Sequence, residues 1–398
     1  MIAAPSILEL IDPMLTAEQR ALQDTVRTLC ARTADRDLVR AWDEEGRFPE
    51  EIWKALADSE LLGLPLPEEF DGQGAGLLET TLVMEELARH SVAAAFAFLI
   101  TVCFGGLTID RSGTPEQRAW FLPRIARGEI RLSGAFTEPG GGSDLFALRT
   151  SAVRDGADFV LNGQKTYITS AQVADHLVLL ARTSREERRS DGLTVFLVPT
   201  TAPGLEVRPL RPLGLRSTGT NEVFLDDVRV SADQVLGEVG NGWRVLVPML
   251  NKERILAGAW ALGNGWAALD DAIAYAGQRE AFGRPIGANQ VIQHYVADAA
   301  IALESARQLL YEASRLQDAG DPAAARFSMM AKVAATEAGF AASHAGMRIL
   351  GGQGYLMETP MQRYFRDAHV ALLGPSTNEV SKSFVARSLG MPRDRPAG

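Results

Sequence analysis

The hydrophobic period of this chain changes twice, and that double change limits its possible folds more than any other feature. From about residue 15 to 127 apolar residues recur at helical spacing, with Leu22, Val26 and Leu29 on one face, Ile52 and Leu56 on another, and Leu82, Met84 and Leu87 on a third. Breakers at Gly46, Pro49, 63–67, 72–76 and 113–115 cut these helices apart. After Arg131 the period shortens. DFVLNGQKTYIT (158–169), HLVLLA (176–181), LTVFLVP (193–199) and EVFLDDVRV (222–230) read as strands, with Asn162-Gly163 as a hairpin turn. From Trp243 the helical period returns over 243–279, 288–319, 322–350 and 376–389, the pattern of a four-helix bundle. The expected fold is therefore α+β: an N-terminal all-α domain over 1–130, a middle β-domain (barrel or sandwich) over 131–240, and a C-terminal helical bundle over 241–398.

Charge and cysteine usage narrow the partners. A formal charge of −10 argues against nucleic acid and anionic membranes, so an anionic ligand must be gripped by local groups. Cys30 and Cys103 are the two cysteines, and no Cys/His cluster has metal-ligand spacing. The most apolar run, 92–107, is too short to span a bilayer and reads as a buried helix. The first fourteen residues carry acids without a basic flank and do not read as a secretory signal, and the tail PRDRPAG reads as disordered. The expectation is a cytoplasmic protein.

Four stretches carry chemistry. AFTEPGGGSD (135–144) places three glycines between Thr137 and Ser143, so backbone N–H groups can approach a phosphate or a ring; a plain turn is the alternative. In NGQKTYITS (162–170), Tyr167 and Thr169 alternate on one strand face, an aromatic and a hydroxyl suited to a flat heterocycle or simply to solvent. QREAFGRPIGANQ (278–290) gathers Arg279 and Arg284 at a helix end, where they either neutralise phosphate or cap the helix. RILGGQGY (348–355) ends a helix on paired glycines.

Taken in order, TEPGGGSD, NGQKTYIT, REAFG and ILGGQGY resemble motifs of the acyl-CoA dehydrogenase family of flavoproteins, over nearly the whole chain. The resemblance implies bound FAD. It implies that Phe136, Thr137, Gly142 and Ser143 pack on the flavin and its pyrophosphate, with Ser143 also facing substrate, and that Tyr167 and Thr169 cover the ring and approach N5. It implies that Arg279, Phe282, Gln290, Gly351 and Gly352 hold the FAD of a neighbouring subunit, and that Thr377 and Glu379 contact the adenosine half. A homo-oligomer, tetramer or dimer, follows from a site shared between subunits. Arg348 departs from the family, where Gln is frequent.

The family frequently carries its catalytic Glu in a loop after an R-D-A triplet. Here the triplet is Arg366-Asp367-Ala368, and Pro375 stands where that Glu would be. Ser376-x-x-Glu379 reads instead as a capping box at a helix start. Glu253, inside the apolar stripe of VLVPMLNKERILAGAW, is the better base: a carboxylate there is costly unless it is paired or functional, and burial raises its pKa. Glu253-Arg254 also matches the placement in isovaleryl- and long-chain-like members, where Asn251 and Arg254 would steer the carrier arm of the substrate.

The expected function is FAD-dependent α,β-dehydrogenation of an acyl thioester, in fatty acid metabolism. Glu253 would take the α-proton and flavin N5 the hydride. The substrate is acyl-CoA or an acyl-carrier-protein thioester, and the expected electron acceptor is an electron-transfer flavoprotein. The rivals are a flavin-dependent oxidase or monooxygenase, and a non-catalytic partner subunit or DNA-associated protein of the same fold.

Overall fold

The protein is described by a computed structural model covering residues 15–392. The first fourteen residues and all of the tail after Pro392 lie outside the described residues.

The N-terminal part is helical: α1 Ala17–Thr33, α2 Arg36–Glu45, α3 Glu50–Asp58, α4 Leu77–His90, α5 Val92–Phe98, α6 Leu107–Ser112 and α7 Pro115–Ala126. Its ends follow the expected breakers. Gly46 closes α2 in the left-handed conformation, and Thr114 with Gln117 forms a capping box ahead of α7, with Pro115 at the first helical position. The apolar run is almost wholly buried. It continues from α5 through a π-helical stretch, Leu99–Gly106, into α6.

The middle part is one mixed sheet: β1 Leu132–Ala135, β2 Ser151–Asp155, β3 Asp158–Thr169, β4 His176–Arg182, β5 Leu193–Pro199, β6 Leu205–Leu210, β7 Thr220–Ser231 and β8 Val235–Leu236. The order is β6-β7-β3-β2-β4-β5-β8, with β1 parallel to β4. The unbroken apolar runs of β4 and β5 have a physical cause. Leu177, Leu179, Phe196 and Val198 fill the sheet's own core, while Val178, Leu180, Val195 and Leu197 join the core of the helices, so both faces are covered.

The Asn-Gly hairpin is a correction. β3 runs straight through Asn162 and Gly163, and the reversal lies earlier, between Asp155 and Asp158 around Gly156. Asn162 instead exchanges two bonds with Asp227, Nδ2 to Oδ1 at 2.9 Å and the Asp227 N–H to Asn162 Oδ1 at 3.0 Å, across an irregularity in the β3–β7 ladder. Gly163 is needed for room as well as for its φ of +152°, since a Cβ there would lie 2.5 Å from Thr150 Oγ1 and 2.7 Å from Thr150 Cα. Gly163→Ala is expected to destabilise by about 1–3 kcal/mol, read as a lower urea midpoint. An unchanged midpoint would contradict this packing.

The C-terminal part holds α8 Gly242–Gln278, a hairpin of β9 Glu280–Ala281 and β10 Arg284–Pro285, then α9 Gln290–Asp318, α10 Ala324–Leu350, α11 Pro360–Leu373 and α12 Asn378–Ser388. The four expected helices are present, and α11 is a fifth. Its buried side mixes a helical stripe of Met361, Tyr364, Ala368 and Ala371 with the polar residues Gln362, Arg363, Arg366 and Asp367, so the apolar period is masked in the sequence. Arg366 pairs with Asp43 of α2 and donates to the Leu213 carbonyl at 2.8 Å, while Asp367 accepts the Leu215 N–H at 2.7 Å. The R-D-A triplet thus joins all three parts of the fold.

Candidate active site

Helix α8 is buried at every position from Ile255 to Leu269, but Asn251, Lys252, Glu253 and Arg254 are only half-buried. That turn is where the helix leaves its cover. Glu253 accepts no hydrogen bond from any described residue, and burial pushes its pKa up to about 7, with the adjacent Arg254 guanidinium opposing the rise. An unpartnered carboxyl with a near-neutral pKa is equipped to accept a proton.

Arg254 is oriented by its surroundings. Its Nη1 donates to Asn251 Oδ1 at 2.8 Å and its Nε to Ser376 Oγ at 3.5 Å. The loop carrying Ser376 is held from behind by Lys332 of α10, a fully buried lysine absent from the expected site residues. Its Nζ donates to the Ser376 carbonyl at 2.8 Å and to Asn378 Oδ1 at 2.7 Å, and burial lowers its pKa to about 8 against the pull of Glu379. A lone lysine in the Ala-rich run of α10 was the available sequence signal.

The Ser376/Glu379 capping box is not formed. Thr377 is the N-cap, its Oγ1 accepting the Val380 N–H at 3.3 Å, and Glu379 is an exposed second residue of α12. Ser376 is engaged elsewhere, its carbonyl by Lys332 and its hydroxyl by Arg254 and Ser381, so the helix starts one residue later. Glu379 keeps a milder role, as a negative charge in a first helical turn.

The glycine-rich loop leaves β1 and is stapled by a buried ion pair. Lys165 is fully buried, donating to Glu138 Oε1 at 2.8 Å and to the Phe136 carbonyl at 3.2 Å. Glu138 also accepts the N–H groups of Arg149 at 2.6 Å and Thr150 at 2.9 Å. The Thr166 N–H reaches the Thr137 carbonyl at 2.9 Å, which brings the loop beside Tyr167 and Thr169. Tyr167 is 68% exposed at φ +60° where the β3–β7 register shifts, so a bulge re-aims it, and Thr169 is half-buried beyond the buried Ile168. The π-helical stretch links this loop to α8: Phe104 packs on Phe136 with ring centroids 5.1 Å apart, and the buried Cys103 thiol senses the Lys252 charge.

These residues fit a flavin. The N–H groups of Gly140, Gly142 and Ser143 and the hydroxyls of Thr137, Ser143 and Thr169 donate to no described residue. A Cβ at Gly140 would meet nothing within 4 Å, and one at Gly142 only Thr137 Cγ2 at 4.0 Å. The chain itself does not require glycine at these two positions; the close approach of another group would.

Arg279, Phe282, Gln290, Gly351 and Gly352 are all exposed, at the other end of α8 and the adjoining turns, and none bonds to the loop of Thr137. Phe282 is 99% exposed. Arg348 lies over the Tyr295 ring, 4.4 Å from its centroid, and donates to the Tyr295 hydroxyl at 2.5 Å, so the residue that departs from the family is engaged within its own chain.

Comparison with known proteins follows the same three parts. Residues 16–129 match the acyl-CoA dehydrogenase N-terminal domain, 133–228 the middle domain and 240–390 the C-terminal domain. A cyclohex-1-ene-1-carbonyl-CoA dehydrogenase of Geobacter metallireducens is 36% identical over 95% of this chain and 99% of its own length. The mitochondrial short-chain specific acyl-CoA dehydrogenase of Bos taurus is 36% identical over 92% of this chain and 89% of its own. A solved glutaryl-coenzyme A dehydrogenase in complex with glutaryl-CoA superposes with a TM-score of 0.92 at 33% identity, covering 96% of this chain and 98% of that one. With the motifs, the three-part fold and these matches in agreement, the chain belongs to the acyl-CoA dehydrogenase family, FAD-dependent oxidoreductases that act on CH–CH bonds.

Proposed function

We propose that this protein converts an acyl-CoA thioester to its α,β-unsaturated product, with Glu253 as the base that removes the α-proton. One observation carries the assignment: Glu253 is the carboxyl on α8 without a hydrogen-bond partner, and burial places its pKa near 7. Proline at 375 cannot take a proton, and Glu379 lies exposed in a helix turn. Arg254, fixed by Asn251 and Ser376, orients the carrier arm of the thioester beside the base. Pro375 offers no N–H to a developing enolate oxygen, whereas the Ser376 and Thr377 N–H groups donate to no described residue and are the late loop's available donors. FAD, when bound, supplies the oxidising equivalent that removes the β-hydrogen. Thr137, Gly142, Ser143, Tyr167 and Thr169 would hold its flavin half, and Thr377 with Glu379 its adenosine half.

The exposed set at the far end of α8 is proposed to complete the FAD site of a second copy, and an electron-transfer flavoprotein to take up the electrons. In support of assembly, Phe282 stands free beside an apolar groove of about 440 Å³ lined by Ile273, Ala276, Pro285, Ile292 and Val296. Arg279→Ala should then lower both flavin content and assembled mass, because a lost charge-assisted contact costs roughly 1.5–3 kcal/mol. Flavin absorbance and gel filtration check this, and normal values for both would contradict it.

The function itself is tested by anaerobic mixing of the yellow protein with a panel of acyl-CoA thioesters and the same acyl groups on a carrier protein. Bleaching of the flavin by a CoA thioester supports the proposal. Bleaching by the carrier-protein thioesters alone would reassign the carrier, and bleaching by neither would reject the thioester reading.

A further inference from the structure

A cavity of about 250 Å³, lined by seven charged side chains, lies at the seam between the N-terminal helices and the bundle. It adjoins Asp270 on α8, seventeen positions beyond Glu253 and so roughly 25 Å along the helix axis. Its charges do not balance. Three carboxylates line it, and each is already taken by one arginine: Glu86 by Arg27 at 3.0 and 3.1 Å, Asp270 by Arg89, and Asp271 by Arg36.

The fourth guanidinium, Arg363 of α11, is 7% exposed and has neither a hydrogen bond nor an ion pair among the described residues. Its recorded neighbours are the Tyr364 ring, 5.8 Å from the guanidinium carbon to the centroid, and the field of the Asp367 carboxylate one turn on, whose Oδ1 is taken by the Leu215 N–H and which forms no ion pair with it. The second edge of Arg89 is similarly placed, with Nη1 buried and without an acceptor. His90 supplies no negative charge. Burial, and then the fields of Arg89, Arg27 and Arg36, lower its pKa to about 4 and keep it neutral.

A guanidinium cannot shed its proton and the Asp367 field offsets only part of its charge, so the acceptors that the Arg363 N–H groups lack come from the cavity, as water or as an anion. The cavity has the volume of roughly eight waters at about 30 Å³ each, which is room for a small oxyanion and its hydration. We propose that this cavity binds a small oxyanion of the phosphate or carboxylate class, which pairs with Arg363 and the free edge of Arg89 and so ties α11 to α4. The site also bears on the chemistry, because α11 runs from Arg363 to the loop that presents Ser376 to Arg254.

The test is thermal melting of the holoenzyme in inorganic phosphate or in acetate, against chloride of equal ionic strength. Wild type and Arg254→Gln should show a saturable rise in Tm with at least one of the two anions, and which one identifies the source. Arg363→Gln should require at least roughly ten-fold more anion for the same rise. If Arg363→Gln does not fold, Arg363→Lys replaces it, keeping the charge without the planar fork, with weaker anion response expected. An equal response in wild type and the Arg363 variant, or none in wild type, would overturn the proposal. So would a fall in assembled mass of the Arg363 variant, which would assign the missing acceptor to an acid of a second copy.

Discussion

Glu253→Gln is expected to keep its fold and its flavin while thioester-dependent bleaching slows by about 10²–10⁴-fold. Gln has almost the shape of Glu, so no cavity opens, and no described hydrogen bond is lost because Glu253 accepts none. The loss should fall on the limiting rate at saturating substrate rather than on the substrate concentration needed. In wild type, kcat/KM should rise with pH and level off above about 7, since Glu253 below that pH already holds the proton it must accept. The same substitution should stabilise the protein at high pH. A folded pKa raised above the unfolded value contributes stability that is fully present below the unfolded pKa and lost as pH rises through 7. Gln has no such dependence, so at pH 8 the variant should be more stable than wild type by about 1–3 kcal/mol, with the gap closing toward pH 4. A purely structural glutamate would show the opposite sign.

Lys165→Met is expected to have the largest effect on folding and flavin retention. Lys165 is fully buried, and its removal leaves the Glu138 carboxylate buried with only the Arg149 and Thr150 N–H groups for company. Breaking such a pair from one side costs about 3–5 kcal/mol. Burial works to raise the Glu138 pKa, but the charge and hydrogen bond of Lys165, together with the bonds from the Thr150 and Arg149 N–H groups, hold the carboxyl below its usual value. Without them the loop between Phe136 and Ser143 loses its anchor, so flavin content should fall with stability. Adding Glu138→Gln should restore part of both, because the uncompensated charge is then gone. A Lys165→Met protein with normal melting and full flavin would show that the pair is dispensable.

The three-part fold was legible because each part repeats its own period, and β4 and β5 were legible as unbroken apolar runs. Helix α11 was not, because its stripe of Met361, Tyr364, Ala368 and Ala371 is interleaved with Arg366 and Asp367, which are buried as long-range partners of Asp43 and the Leu215 N–H. Asn162-Gly163 misled because the reciprocal bonds with Asp227 use in mid-strand the chemistry that ordinarily makes a turn. The cap at Ser376 shifted to Thr377 because Lys332, forty-four residues away, claims the Ser376 carbonyl. Glu253 was readable as a carboxylate on an apolar stripe. The two buried lysines that hold the loops around it gained their meaning only from the fold.

Proton acceptance by Glu253 can be followed apart from the redox step. A thioester with sulfur in place of its β-carbon can lose its α-proton but has no β-hydrogen to give up. Its α-hydrogens can be followed by proton NMR in deuterated buffer with wild type, Glu253→Gln and Glu379→Gln. Rapid exchange is expected with wild type and Glu379→Gln, and exchange slowed at least about 10²-fold with Glu253→Gln. Exchange at the wild-type rate by Glu253→Gln, or its loss in Glu379→Gln alone, would contradict it.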